Sequence, residues 1–319
     1  MERTTTRTTK TAAPPAGDPG TPPATRWRTT QDLDAFEEAA GAFLRSRPVE
    51  HTLLLSVTSS LRVLGADAYG SDAPRFGWWR PARTQTTGGA AVEGAFVWTP
   101  PRPVLLSPMP DDAAAALAGT LVPERLPEAG VNAELPTARA YAAGWRRRHG
   151  GTPEVAGRRR LYRLGELAPP DPAPPGAARA ATGADRALVL AWFTAFAAEV
   201  GDGPPGASRA ADDRLAEGRC TLWEVDGRPV ALAGVSRTLS GMARVAPVYT
   251  PPELRGRGYA GAVTAAVSRA ARDGAGAEEL VLFTDLDNPT SNALYQRLGY
   301  RPVADHLVLR TGRTGGPAR

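Results

Sequence analysis

The sequence has one cysteine and one lysine, Lys10, among its 319 residues. The lone cysteine, Cys220, excludes an intrachain disulfide framework and fits a reducing compartment, so we expect a cytoplasmic protein. No apolar run reaches the ~20 residues that a membrane-spanning helix needs. The longest, 187–200, is interrupted by Thr194 and Glu199 and predicts a buried helix. The chain is therefore typical of a globular protein stabilised by ordinary hydrophobic cores.

The basic residues, apart from Lys10, are all arginines, and they give the chain a net charge of +5. A basic balance is compatible with nucleic-acid binding. The densest clusters, Arg146–Arg148 and Arg158–Arg160, have no interleaved aromatic residues. This pattern favours solvated surfaces, and we predict neither a nucleic-acid nor a membrane partner.

The cysteine and the histidines show no metal-ligand spacing, and we predict no metal. Cys220 is compatible with a nucleophile, but its setting between Arg219 and Leu222 favours a small apolar strand residue. His306 is predicted on the surface of an edge strand, whereas His51 and His149 belong to no pattern.

Proline-rich stretches divide the chain. Residues 1–27 predict a disordered tail, with an organellar transit peptide as the alternative. Residues 169–176 carry five prolines and predict an extended, semi-rigid linker. We therefore predict an α/β domain at 28–168, a second domain at 177–311 and a flexible tail at 312–319.

The second domain reads as a helix, three strands, a helix, a strand, a helix and a closing strand pair. Asp226-Gly227 predicts a tight hairpin turn, so the first strands are antiparallel. The third strand is Met242–Tyr249 and the buried fourth strand is Leu280–Thr284. The closing pair is predicted at Tyr300–Val303 and His306–Leu309.

The run Arg255–Ala260, RGRGYA, lies between a strand and a helix. Its glycines, Gly256 and Gly258, permit a tight turn and the close approach of a ligand to backbone amides. The first amides of a helix lack intrahelical partners and carry partial positive charge, so this turn suits a pyrophosphate. Arg255 and Arg257 can add charge-assisted contacts.

The same stretch also satisfies the dinucleotide pattern G-x-G-x-x-G, with Asp285 as the acidic residue downstream. Two prolines separate the glycines from the preceding strand, however, and that strand belongs to an antiparallel meander. Too little chain follows Asp285 for a doubly wound sheet. We therefore favour a phosphate site of another kind.

A second landmark is the helix that follows Asn288. Asn288 suits an N-cap, Pro289 the first helical position, and Gly299 the position past the end. Tyr295 lies beside the face of Leu294 and Leu298, and from this pattern alone it is read as a core residue.

Together, RGRGYA and the segment Asn288–Tyr300 resemble the two landmarks of GNAT acetyltransferases, an R-x-x-G-x-G/A loop and an Asn-led helix with Leu-Tyr and a Leu-Gly-aromatic ending. The resemblance covers about 177–311, with Ser291 where the family often has alanine. It implies an α+β GNAT (acyl-CoA N-acyltransferase) fold, a mixed, mostly antiparallel sheet flanked by helices. It also implies an acetyl-CoA-dependent N-acetyltransferase.

The resemblance also implies site residues. Pantetheine would pair with backbone near Val248 and Tyr249 and contact Asn288, while Tyr295 would face the thioester sulfur. The pyrophosphate would lie against the turn, whose residues are Arg255, Gly256, Arg257, Gly258, Tyr259 and Ala260. For the general base, Glu253 and Asp285 are the candidates, although each also reads as an ordinary loop or turn residue.

Residues 28–168 roughly repeat this order, which predicts a tandem protein. The first copy has Pro108–Asp111 where a glycine nest would lie, so we predict a degenerate copy that shapes the acceptor site or a dimer contact. The chain would be a monomer or a homodimer. The acceptor, a small-molecule or protein amine, stays open. The alternative function is a non-catalytic module that binds acyl-CoA through the same fold.

Overall fold

The computed structural model describes residues 27–81, 91–121, 130–201 and 207–311. The predicted tail at 312–319 and residues 1–26 of the predicted N-terminal tail lie outside these ranges. Trp27, which the sequence places in the tail, instead begins the first strand, where its indole donates a hydrogen bond to the Ala113 carbonyl at 3.0 Å.

Both halves of the chain repeat one order of elements: a strand, two helices, three strands, a helix, a strand, a helix and a strand. The first half consists of β1 Trp27–Thr30, α1 Leu33–Ser46, α2 Thr52–Leu64, β2 Arg75–Trp79, β3 Gly94–Trp98, β4 Val104–Leu106, α3 Asp111–Thr120, β5 Val131–Glu134, α4 Leu135–His149 and β6 Glu154–Leu164. The second consists of β7 Ala177–Ala180, α5 Arg186–Glu199, α6 Ala207–Ala216, β8 Cys220–Val225, β9 Arg228–Val235, β10 Met242–Tyr249, α7 Tyr259–Ala275, β11 Glu279–Asp285, α8 Pro289–Arg297 and β12 Tyr300–Arg310. The predicted tandem arrangement is confirmed.

The described strands form one sheet of 12 strands in the order β1-β2-β3-β4-β5-β12-β6-β11-β10-β9-β8-β7. In each half the fourth and fifth strands pair in parallel, β4 with β5 and β10 with β11, while the other neighbours are antiparallel. This mixed, mostly antiparallel sheet agrees with the predicted fold class.

The last strands of the two halves are exchanged. β12 lies between β5 and β6, and β6 lies between β12 and β11, so each half completes its sheet beside a strand from the other. Arg160 of β6 and Asp305 of β12 reinforce the central pair through two hydrogen bonds, of 2.6 and 2.9 Å.

Two expectations for the C-terminal segment are wrong. It forms one long strand, β12, because β5 and β6 pair along its two edges and no hairpin is needed. His306 is 4% exposed in this central strand and is not on an edge. Its ring stands edge-on to Phe283, with centroids 5.0 Å apart.

The helices cover both faces of the sheet. Helices α3, α4, α7 and α8 pack on one face, and α1, α2, α5 and α6 pack on the other. Alternation along the strands divides the side chains between the faces, as with Leu161 on the second face and Tyr162 on the first. Helix α2 reaches across to the second half, where the Thr52 hydroxyl contacts the Met242 sulfur at 3.3 Å.

Local signals set the element ends. The Asp32 side chain caps α1 by accepting from two backbone amides. As predicted, Asp226-Gly227 turns between β8 and β9, with positive φ at both residues. Among the described helices, none is both long and apolar enough to cross a membrane.

One helix departs from its predicted environment. The apolar run 187–200 forms α5, but only Val189 and Phe193 of that helix are fully buried. Phe196 and Val200 stay accessible, and both line a cavity described below.

Candidate active site

Strands β10 and β11 separate partway along their length. Their parallel pairing runs from Met242 opposite Glu279 to Arg244 opposite Val281 and goes no further. Beyond these residues β10 continues to Tyr249 and β11 to Asp285, each paired only on its outer side, with β9 and β6 respectively. Backbone groups between the diverging strands are thus free to pair with an extended ligand.

The glycine turn lies just past the end of β10. Gly256 and Gly258 have φ of +77° and +84°, a left-handed conformation that disfavours any side chain. Gly258 caps α7, whose first internal hydrogen bond joins the Ala262 amide to the Gly258 carbonyl at 3.1 Å. The amides of Tyr259, Ala260 and Gly261 therefore have no carbonyl one turn earlier, which makes this helix end an anion site.

The arginines of the turn already have partners. Arg255 bonds the Thr250 carbonyl at 2.9 Å and Glu199 at 2.5 Å, and it lies over the Tyr249 ring. Arg257 is exposed and reaches the Glu253 carbonyl at 3.3 Å. Contacts from these two arginines to a phosphate stay a prediction.

The proline-rich connection between the halves borders the same turn. A Cβ added at Gly258 would lie 3.6 Å from Pro174, and one at Gly261 would lie 3.3 Å from Pro170. Leu294 of α8 lies 3.1 Å from the same Gly261 position. A phosphate carrier that docks at this helix end would contact the connection or displace it.

Asn288 begins α8 as predicted, because its side chain accepts from the Ser291 amide at 3.0 Å. A second asparagine, Asn292, has a structural role that the sequence did not reveal. Its Nδ2 donates to the carbonyls of Asp285 and Asn288 at 2.8 and 2.7 Å, and its Oδ1 accepts from the Tyr162 hydroxyl at 2.9 Å. This network holds the turn between β11 and α8.

Tyr295 lies within the core under α7 and α8, 9% exposed, with its ring edge-on to Tyr300 at a centroid distance of 6.0 Å. Burial, with a smaller effect of the neighbouring Tyr300, raises the pKa of Tyr295 well above its usual value. The phenol therefore stays protonated at neutral pH and is a hydrogen-bond donor rather than a ready proton source.

Both candidate bases are exposed to solvent. Glu253 is exposed in the short 3-10 turn Pro252–Leu254. Asp285 is exposed at the end of β11, where its carboxylate accepts from the Asp287 amide at 2.9 Å. The base assignment stays open between them.

A cavity of about 200 Å³ opens on the opposite face of the sheet, above the point where β10 and β11 part. It lies between α2 of the first half and α5 and α6 of the second. Its described lining includes Ser56, Phe193, Arg214, Arg244 and Pro247. Neither Glu253 nor Asp285 lines it. The sequence analysis did not identify these residues. The apolar run that forms α5 is the one sequence feature that points to the cavity, because some of its residues line it.

Cys220 is fully buried in β8, and burial raises its pKa to about 11, which agrees with a structural role. Among the described residues, no group of three or more His, Cys, Asp or Glu side chains could hold a metal ion.

Two parallel strands that part beside a left-handed glycine turn and a helix N-terminus define the class of acyl-CoA N-acyltransferase folds. The family comparison agrees: residues 187–300 match the acetyltransferase (GNAT) family model. The second half of the chain therefore carries a domain of the GNAT family. No curated protein sequence is significantly similar to it.

Solved structures extend the similarity to both halves. A GCN5-related N-acetyltransferase from Sphaerobacter thermophilus is 16% identical, with a TM-score of 0.55, 91% of this chain covered and 98% of that one. A Drosophila protein is 16% identical, with a TM-score of 0.58 and coverage of 91% and 100%. A tandem GNAT protein from the clavulanic acid biosynthesis pathway is 14% identical, with a TM-score of 0.53 and coverage of 92% and 100%. At these identities the likeness establishes the fold.

Proposed function

We propose that this protein is an acetyl-CoA-dependent N-acetyltransferase. Membership of the family supports acyl-CoA-dependent acyl transfer, and the finer assignment rests on one observation. The gap between β10 and β11 leads directly to the Gly256–Gly258 turn and the free amides at the start of α7. An extended thioester arm and a pyrophosphate would be bound by these adjoining features.

In this proposal the pantetheine arm pairs with backbone near Val248 and Tyr249, and the pyrophosphate is bound by the amides of residues 257–260. Asn288 contacts the arm from the start of α8. The connection at Pro170 and Pro174 lies against the same helix end, so it becomes part of the coenzyme site or moves away on binding.

The reaction is direct attack of a neutral amine on the thioester carbonyl carbon. A carbon–nitrogen bond forms, the carbon–sulfur bond breaks, the amine loses a proton and the sulfur gains one. A lysine-like amine, with a pKa of about 10.4, must first lose a proton. Full transfer from a normal phenol to a thiolate is uphill by about 2 kcal/mol, and burial makes it costlier for Tyr295. We therefore assign Tyr295 as a hydrogen-bond donor to the departing sulfur.

The buried phenol favours a second candidate, a module that binds acyl-CoA without turnover. Two measurements separate the candidates. Isothermal titration with acetyl-CoA tests binding, and thiol release with a panel of amines tests transfer. Binding together with amine-dependent thiol release supports the enzyme. Binding without release supports the sensor, and failure to bind contradicts both.

A further inference from the structure

The cavity above the parting strands lies where an acceptor would approach. Arg244 and Ala246 of β10 line it, whereas Ala243 and Val245 point to the opposite face and pack in the core under α7. Alternate residues of a strand face opposite sides of a sheet. A molecule in the cavity and a coenzyme at the α7 turn would therefore lie on opposite faces of the sheet, on either side of β10.

Several buried polar atoms that form no hydrogen bond within the described residues line this cavity. They include the Ser56 hydroxyl of α2 and the Arg214 Nε of α6, which come from different halves of the chain. Leaving a buried polar group unsatisfied is costly, so such groups point to a missing partner. Arg214 can only donate, whereas a serine hydroxyl can donate or accept. One group that accepts from both is an anion.

The charge around Arg214 also lacks balance. Its neighbours Arg219 and Arg237 are both paired with Asp213 and Glu217. No carboxylate of the described residues pairs with Arg214, whose guanidinium instead lies 5.6 Å from the Phe193 ring centroid. Burial, with the nearby charges of Arg219 and Arg244, lowers the pKa of Arg214 to about 10. A single negative charge would relieve this repulsion.

The rest of the lining is part charged and part apolar, and its charged members include further arginines and the Asp213 carboxylate. Leu64 of α2, Phe196 and Val200 at the end of α5, Leu239 and Pro247 contribute hydrocarbon surface. An acceptor that fills the cavity therefore carries an apolar substituent beside its charged group.

We propose, on the basis of the function above, that the acceptor is an amino-acid-type amine: a primary amine with a carboxylate and an apolar substituent. The carboxylate accepts from Arg214 and Ser56, and the apolar group lies against α5. The amine nitrogen attacks the thioester carbon across the gap between the strands. The products are an N-acetylated amino acid and the free thiol of coenzyme A.

The kinetic test compares L-phenylalanine, L-phenylalaninamide and the aminophosphonate analogue of phenylalanine, with thiol release as the readout. We expect kcat/KM at least tenfold higher for phenylalanine than for its amide, since a charge-assisted hydrogen bond supports about that ratio. The amide has the less protonated amine, so without a carboxylate site it would react faster. Equal or higher values for the amide, or for the dianionic phosphonate, overturn the proposal.

Two variants test whether Arg214 and Ser56 bind the carboxylate of the acceptor. Arg214→Met should lower kcat/KM for phenylalanine about tenfold or more and leave phenylalaninamide nearly unchanged. Ser56→Ala removes an unpartnered hydroxyl and should not harm folding. This variant should lower kcat/KM for phenylalanine about fivefold. Arg209→Met on the exposed part of α6 is the control and should change neither value. A loss that is equal for acid and amide contradicts the proposed contact.

A binding experiment separates this inference from the proposed function. Titration of the full chain with 3-phenylpropanoate and 3-phenylpropanamide requires no turnover. Preference for the acid that is lost in Ser56→Ala supports the carboxylate site, even if no amine releases thiol and the enzyme assignment fails. No preference, alongside thiol release from phenylalaninamide, supports the enzyme and overturns the carboxylate site.

Discussion

Pro170 packs against Gly261, where an added Cβ would lie 3.3 Å from the proline ring. Pro170 belongs to the proline-rich connection between the two halves, so this connection touches the helix end that is proposed to bind the pyrophosphate. A second tether, the 2.9 Å hydrogen bond from the Trp223 indole to the Pro175 carbonyl, holds the connection in place. Coenzyme binding must act on this segment.

We expect saturating acetyl-CoA to change amide hydrogen exchange in residues 165–180, because the coenzyme either covers the connection or displaces it. Helix α4, on the far half of the sheet, serves as the internal reference and should not change. Identical exchange in 165–180 with and without coenzyme would show that the pyrophosphate binds elsewhere.

The left-handed glycines at the two ends of α7 provide a matched pair. Gly258→Ala and Gly276→Ala each place a side chain at positive φ, which costs about 1–2 kcal/mol of stability. Only Gly258→Ala should raise the dissociation constant for acetyl-CoA, by about tenfold or more, because only Gly258 belongs to the turn that is proposed to bind the pyrophosphate. Titration calorimetry and thermal melts measure the two effects. Equal affinity in both variants argues against the turn as the pyrophosphate site.

Tyr295→Phe should lower kcat on the order of 100-fold, as for the loss of a preorganised donor to developing negative charge, with little change in acetyl-CoA binding. Tyr300→Phe is the control. It loses only the 2.8 Å hydrogen bond between the Tyr300 and Ser268 hydroxyls and should reduce stability by about 1 kcal/mol without a large kinetic effect. Unchanged turnover in Tyr295→Phe would remove that residue from the mechanism.

His306 should make stability depend on pH. Burial, and next the charge of Arg159, lower its pKa to about 4, while Asp305 opposes the shift. Between the unfolded pKa of about 6.5 and pH 4, the unfolded chain binds a proton that the native protein does not, so stability falls as pH falls. The free energy of unfolding falls by about 3 kcal/mol when the pH reaches 4. Denaturant unfolding from pH 7 to 4 should show this slope, and His306→Gln should reduce it. His51, whose pKa burial also lowers, contributes in the same direction and remains in the variant.

The exchanged strands predict that neither half folds alone. Residues 1–168 expressed without 169–319 would expose β5 and β6 as edges that lack β12. We expect the separate fragments to aggregate or stay unfolded and the co-expressed fragments to form a stable complex, as circular dichroism and size-exclusion chromatography would show. A cooperatively folded single fragment would contradict the importance of the exchange.

The sequence determined the local features of the candidate site. The RGRGYA turn favours glycine at two positions of positive φ, and the start of α8 is favoured by an asparagine N-cap followed by a proline. Both requirements are local, so both appear as short motifs with fixed spacing. The repeated order of elements was also readable, since hydrophobic periodicity reports each helix and strand.

Only the tertiary structure decided which strands pair and which side chains meet. His306 was expected on an edge because nothing in the sequence shows that β5 and β6, distant along the chain, pair on both sides of β12. The cavity between α2 and α6 brings Ser56 and Arg214 together across 157 intervening positions, and an isolated serine or arginine carries no local signal of such a contact. Turns and caps depend on neighbouring residues, so the sequence predicts them. Long-range pairing depends on the packing of whole elements, so only the tertiary structure reveals it.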